Sequence, residues 1–141
     1  MIYCYNCKIE DFSSKPNNVY IGRGSVLGNP YTHDGKKSSL ARLSFPTREE
    51  AINAYKLYFN SMYENDMEFK LTVDGLYEKY KNGEDIYLQC FCKPLSCHGD
   101  YIKEVLEKRL IKEKMAEVEE MTKNNDGMIL NLAVNYGSRE E

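Results

Sequence analysis

Four of the chain's most reactive side chains crowd into one stretch, "CFCKPLSCH", which holds Cys90, Cys92, Cys97 and His98. Three kinds of chemistry suit that set. Thiolates and an imidazole are zinc ligands, and Cys4 and Cys7 could add to them. A cysteine at a helix start beside a histidine, as Cys97 and His98 stand, is a nucleophile of lowered pKa. A helix beginning at "SCHGD" also turns unpaired N–H groups and a positive dipole end toward an anion. In that third reading Gly99 lets a ligand come close and His98 donates to a phosphate. Asp100 then bonds a ribose or complements the dipole. The sequence favours the anion reading. The spacing differs from a C-x-x-C knuckle, and Ile86, Leu88, Cys90 and Cys92 share one strand face as small buried hydrophobes do. No bound metal or other cofactor is expected.

A second stretch, "GRGSVLGNPY", puts glycines around a guanidinium. Gly22, Gly24 and Ser25 offer backbone N–H groups, and Arg23 forks onto a phosphate or carboxylate. Asn29, pushed toward extended backbone by Pro30, reads a ligand edge or caps the turn. Tyr31 stacks on a ring or packs the loop. Arg48, in the first turn of a later helix, points to the same place or to solvent.

Elements must bring these pieces together. "MIYCYNC" and "VYIG" read as strands, the second running straight into the glycines. Thr47 and Glu50 form a capping box, and Ala51, Ile52, Tyr55, Tyr58, Phe59 and Met62 recur at helical spacing after it. A weaker helix over Met67–Lys81 is interrupted at Gly75 and ended by "NG". "DIYLQCFCK" is the clearest strand, predicted buried over Asp85–Cys92. The longest helix follows, from about Cys97 to Lys123, with an apolar stripe of Ile102, Val105, Leu106, Leu110, Met115, Val118 and Met121. "MILNLAVNY" reads as a last strand. This order predicts a small Rossmann-like α/β layered domain with a largely parallel sheet over 1–123, and a turn and strand over 124–141 attached to it. Ligands of such sheets lie at the carboxyl ends of the strands. If the second strand and the "IYLQC" strand are parallel neighbours, the two motifs meet at one rim.

Composition sets the outer limits. The chain has 141 residues, 42% hydrophobic and 29% charged, enough for one domain with a core. A net charge of −3 speaks against a nucleic-acid duplex as partner. The N-terminus lacks the basic and apolar regions of a signal peptide, and no apolar run suits a membrane span. Five cysteines, an odd number, fit a reducing cytoplasm. Twelve tyrosines and a long amphipathic helix suit a homodimer, although core packing explains both.

"YIGRGSVLGNPY", "TREEAINAY" and "LQCFCKPLSCHGDYI" together resemble a family of small bacterial and phage proteins catalogued as a domain of unknown function (uncharacterised family 4326). The family pattern is IGR…LGNP, a helix with an early arginine, matched by Arg48, and CxCxPxxCHxD. The likeness runs from about Val19 to Ile102, and Phe91 stands where a Trp is usual. It implies a Rossmann-like fold and supplies no activity, although similar folds bind or cleave nucleotides and ADP-ribose derivatives. The tail "TKNNDGMILNLAVNYGSREE" is similar to a short segment of undecaprenyl diphosphate synthases ending N-Y-G-G-R-x-E, with Ser138 in place of a glycine. Nothing upstream resembles the aspartate-bearing diphosphate loop of those enzymes. The tail is therefore read as a borrowed or coincidental unit, and Arg139 as a solvated terminus.

The expectation is a protein that binds a phosphate-bearing small molecule, a nucleotide or ADP-ribose derivative, and so senses or sequesters a signal. One alternative is an enzyme cleaving an N-glycosidic or phosphoester bond with Cys97 and His98. Carboxylates near the motifs are few, only Asp34, Glu49, Glu50 and Asp100, which tilts the reading toward binding. The other alternative is a zinc-stabilised interaction module built on Cys90, Cys92, Cys97 and His98.

Overall fold

The computed structural model describes residues 1–32 and 43–124. Five short strands and three helices follow in the order β1 (Ile2–Asn6), β2 (Asn18–Tyr20), β3 (Tyr31–Thr32), β4 (Leu43–Ser44), α1 (Arg48–Asn65), α2 (Met67–Lys81), β5 (Ile86–Cys90) and α3 (His98–Asn124). The α/β class and the parallel sheet predicted from the sequence are what the chain forms. The expected final strand, Asp34 and Arg139 lie outside the described residues.

The main sheet has the order β1-β5-β2 and is parallel throughout. Its centre is β5, where Ile86, Leu88 and Cys90 are buried and Tyr87 and Gln89 are half-buried. Tyr3 stacks on Tyr87 on the other face, with Phe12 closing over Tyr5 and Tyr87. A second, two-stranded parallel sheet joins β3 to β4. The sequence reading has only loop there, because two-residue strands carry no period.

Local signals set the helices. Thr47 accepts a hydrogen bond from the Glu50 N–H at 3.1 Å and starts α1. Asp66 caps α2 through the Phe69 N–H at 2.9 Å. Gly75, expected to interrupt α2, does not. It is exposed with open space where a Cβ would stand, so the turn simply continues through it. Asn82 caps the end, and Gly83, at φ +89°, turns the chain away. Ala51, Tyr55 and Phe59 of α1 and Phe69, Val73, Leu76 and Tyr77 of α2 are buried, as are Ile102 and Leu106 of α3.

The chain divides into two compact units, Met1–Leu106 and Glu107–Glu141, so the boundary falls within α3. The predicted stripe on α3 divides there too: Ile102 and Leu106 are core, whereas Met115, Val118 and Met121 are exposed.

Candidate functional site

β2 and β5 are parallel neighbours, so their carboxyl ends lie side by side. The segment after β2 is "IGRGSVLGNP" and the segment after β5 is "FCKPLSC". They wall a cleft of about 650 Å3. Gly22, Arg23, Asn29, Tyr31, Arg48, Cys90, Cys92, Cys97 and His98, all named from the sequence, line it. Gly24, Ser25, Gly99 and Asp100 are not among the lining residues.

The first wall is tied by its own polar groups. The Ser25 hydroxyl donates to the Gly22 carbonyl at 2.6 Å, and the Ser25 N–H points there too. Gly24, at φ 95°, makes the turn between them. Gly28 packs directly on the Gly22 carbonyl, whose oxygen a Cβ would approach to 2.4 Å. Ser25 is thus part of a closed turn, and its N–H is not held open for a ligand. Asn29 accepts from the Tyr31 N–H at 2.9 Å and donates to the Ala51 carbonyl at 3.3 Å, so it both caps the turn and moors it to α1. Tyr31 packs edge-on against Phe45 and Tyr58. Arg23 donates from Nε to the Asn29 carbonyl at 3.4 Å and from Nη2 to the Tyr31 carbonyl at 3.0 Å. A guanidinium has five N–H donors, so the staple leaves part of the fork for the cleft.

The second wall turns sooner than the sequence predicts. β5 ends at Cys90, and Cys92 therefore does not share the strand face of Ile86, Leu88 and Cys90. Asn6, at the end of β1, donates to the carbonyls of Phe91 at 3.2 Å and Lys93 at 3.1 Å. A turn bonded from Leu95 N–H to the Cys92 carbonyl, holding the cis Lys93–Pro94 peptide, reverses the chain. Arg48 reaches over from α1 and donates to the Ser96 carbonyl at 3.3 Å.

Cys97 is the cap of α3, which begins at His98, one residue after the predicted start. Its sulphur accepts from the Gly99 N–H at 3.4 Å, and its own N–H donates to the Asp100 carboxylate at 3.1 Å. Asp100 also pairs with Lys93. Its carboxylate thus serves the cap and the ion pair, in line with the expected alternative that it complements the helix dipole. Gly99 is a packing glycine: a Cβ there would stand 2.6 Å from the Cys4 sulphur and 2.7 Å from the Ile21 side chain.

His98 is buried, with its ring edge-on to Tyr55 at 4.7 Å. Its Nε2 lies 2.7 Å from the Ile21 carbonyl, which only accepts, so Nε2 carries the proton. Burial holds its pKa below the ordinary histidine value. The ring is neutral, Nδ1 is an acceptor, and it lies 3.6 Å from the Cys97 sulphur. The expected donation from His98 to a phosphate is therefore not available. The lowered pKa expected for Cys97 is not found either. Hydrogen bonds with the Cys4, Cys90 and Cys92 thiols, with burial, push it up. Two other thiols are held low: Cys90 by its hydrogen bonds with Cys4 and Cys97, and Cys92, at about 6, by its hydrogen bond with Cys97 and by the Arg48 charge.

The cleft also has a rim that the motif reading passed over. Tyr20 and Phe91, 41% and 51% exposed, stand edge to face at 5.9 Å. Each is at the carboxyl end of one of two neighbouring parallel strands, the one signal by which they could have been found. Cys4 lies close to Cys90 and Cys97, whereas Cys7 is not in that group.

Among the described residues no helix is long and apolar enough to cross a membrane. No curated protein and no solved structure matches the chain. A match to protein families covers residues 5–108, described as "Domain of unknown function (DUF4326)". That span contains β2, β5, both walls of the cleft and the start of α3, and by it the chain belongs to the DUF4326 family.

Proposed function

We propose that the cleft binds a phosphate-bearing small molecule, a nucleotide or an ADP-ribose derivative. The observation that carries this reading is the convergence of Arg23 and Arg48 on one cleft whose rim is Tyr20 and Phe91. Arginine forks match phosphate oxygens, and aromatic faces take a base. The volume of about 650 Å3 suits a ligand of nucleotide size. Among the described lining residues there is no Asp or Glu to repel an anion.

The same absence supports binding over glycosidic cleavage, which needs a placed acid. Cleavage through Cys97 and His98 is the weaker reading, because the thiol is 1% exposed and the imidazole donor is committed to Ile21. In the phage-type setting that the family resemblance suggests, such a protein senses or sequesters a nucleotide signal, an anti-defence role.

Calorimetric titration with ADP-ribose, cyclic nucleotides and inorganic phosphate tests the reading. Arg48→Ala should weaken binding roughly tenfold to a hundredfold, the worth of a charge-assisted bond. Arg23→Lys keeps the charge and loses the fork, and should also weaken it. If no member of the panel binds the wild type, and denaturing mass spectrometry releases no phosphate-bearing molecule from purified protein, the proposal fails.

A further inference from the structure

Three thiols from three separate elements meet at the wall of the cleft that Cys90 and Cys97 line. Cys4 is on β1, Cys90 ends β5 and Cys97 caps α3, and their sulphurs all lie within 4.8 Å of one another. The Cys4 and Cys90 sulphurs are 3.9 Å apart. Cys90 and Cys97 are each 1% exposed. A tetrahedral ion with metal–sulphur bonds of about 2.3 Å has sulphur–sulphur edges of about 3.8 Å, close to the spacing seen.

A disulfide between Cys4 and Cys90 does not suit the backbone. The register pairs Cys4 with Leu88, two residues before Cys90. A strand spacing of about 4.8 Å and an offset of about 6.6 Å separate the two Cα atoms by roughly 8 Å, more than a bridge spans.

We propose that Cys4, Cys90 and Cys97 hold a zinc ion as thiolates, with Cys92 as the fourth ligand. Cys92 lines the cleft beside Cys90 and Cys97 and lies outside the three-sulphur group, so its thiol turns inward as the ion binds. Each thiol releases its proton to solvent as it binds. Four thiolates and Zn2+ leave two negative charges, and the surroundings answer them. The Gly99 N–H already donates to the Cys97 sulphur at the positive end of α3. Lys93 acts on Cys4 and Arg48 on Cys92. Gly99 has no side chain where one would press on Cys4, at 2.6 Å. The set narrows the one the sequence suggested: Cys4, named there as an addition, is a ligand, and Cys7 and His98 are not. Neither Arg23 nor Arg48 is a ligand, so metal uptake is read without any nucleotide, although Cys90, Cys92, Cys97 and Arg48 line the same cleft.

The test is Co2+ and then Zn2+ titration of the full chain, reduced and anaerobic, with folding checked by circular dichroism and free thiols counted. The expected result is one ion per chain, with thiolate charge-transfer and tetrahedral d–d bands for Co2+ that Zn2+ abolishes. Cys92→Ser should lose about a quarter of the charge-transfer intensity, one thiolate of four, and weaken Zn2+ binding roughly tenfold or more. Cys4→Ser should do the same, and Cys7→Ser should change nothing. Folded, fully reduced wild type that takes up no Co2+ overturns the proposal without recourse to any variant. So does a Cys4→Ser spectrum identical to wild type. Unchanged intensity in Cys92→Ser overturns its place as fourth ligand.

Discussion

The two walls of the cleft hold their shape by different means. The wall after β2 is closed by hydrogen bonds among its own members: Ser25 to Gly22, Arg23 to Asn29 and Tyr31, and Asn29 to Ala51 on α1. The wall after β5 has its polar ties too, from Asn6 and Asp100, but its inner surface is sulphur packed on sulphur. A network of many polar contacts yields by about 1 kcal/mol for each one lost. A packed thiol cluster answers instead to volume and to the chemical state of its sulphurs. Glycine serves both walls: Gly28 meets rigid backbone in the first, and Gly99 meets the ends of side chains in the second.

That contrast sets an order of effects. The largest belongs to Gly28→Ala, whose Cβ would stand 2.4 Å from the Gly22 carbonyl oxygen. Backbone cannot turn aside, so the cost should reach the top of the usual ~1–3 kcal/mol for overpacking, a fall of roughly 10–20 °C in Tm. A loss below about 4 °C would show that the first wall is looser than its hydrogen bonds imply. Gly99→Ala comes next. Its Cβ meets the Cys4 sulphur and the Ile21 terminus, which rotate away in part, for about 1–2 kcal/mol. This change should also weaken Co2+ uptake, and Gly28→Ala should not; equal loss of uptake in both would erase the distinction between the walls.

Tyr55→Phe should cost about 1 kcal/mol by chemical denaturation, because the buried Leu27 carbonyl loses its 2.7 Å donor. Any accompanying change in Co2+ affinity would mean that the polar wall and the sulphur wall move together. Gly75→Ala, away from both walls, is the smallest effect and carries the opposite sign. Nothing lies within 4 Å of the added methyl, so helix propensity alone should stabilise the protein by ~0.5–1 kcal/mol.

The helices were legible because their causes are local. The Thr47 and Glu50 spacing marks the start of α1, Asn82 and Gly83 mark the end of α2, and alternation marks β5. Even the meeting of the two motifs followed from a short chain of rules, since parallel neighbours share a carboxyl edge. What the side chains do there was less legible. Arg23 and Asn29 were visible as polar groups in a loop, but which carbonyls they bond depends on a fold that only the closed loop defines.

The sequence by itself determined the α/β class, the three helices, the family, and nine of the residues that line the cleft. Each rests on spacing within a few turns or on a contiguous pattern. Tertiary structure alone decided that β5 stops at Cys90, because Asn6 on the neighbouring strand takes the Phe91 and Lys93 carbonyls. It decided that His98 is neutral, because packing buries its ring, and that Nε2 carries the proton, because it meets the Ile21 carbonyl of another segment. It also brought Cys4 to Cys90 across 86 positions, through a strand register that no local pattern encodes. Pairing between distant strands is chosen by the whole buried face at once, and the place where a side chain lands is settled only when that face closes.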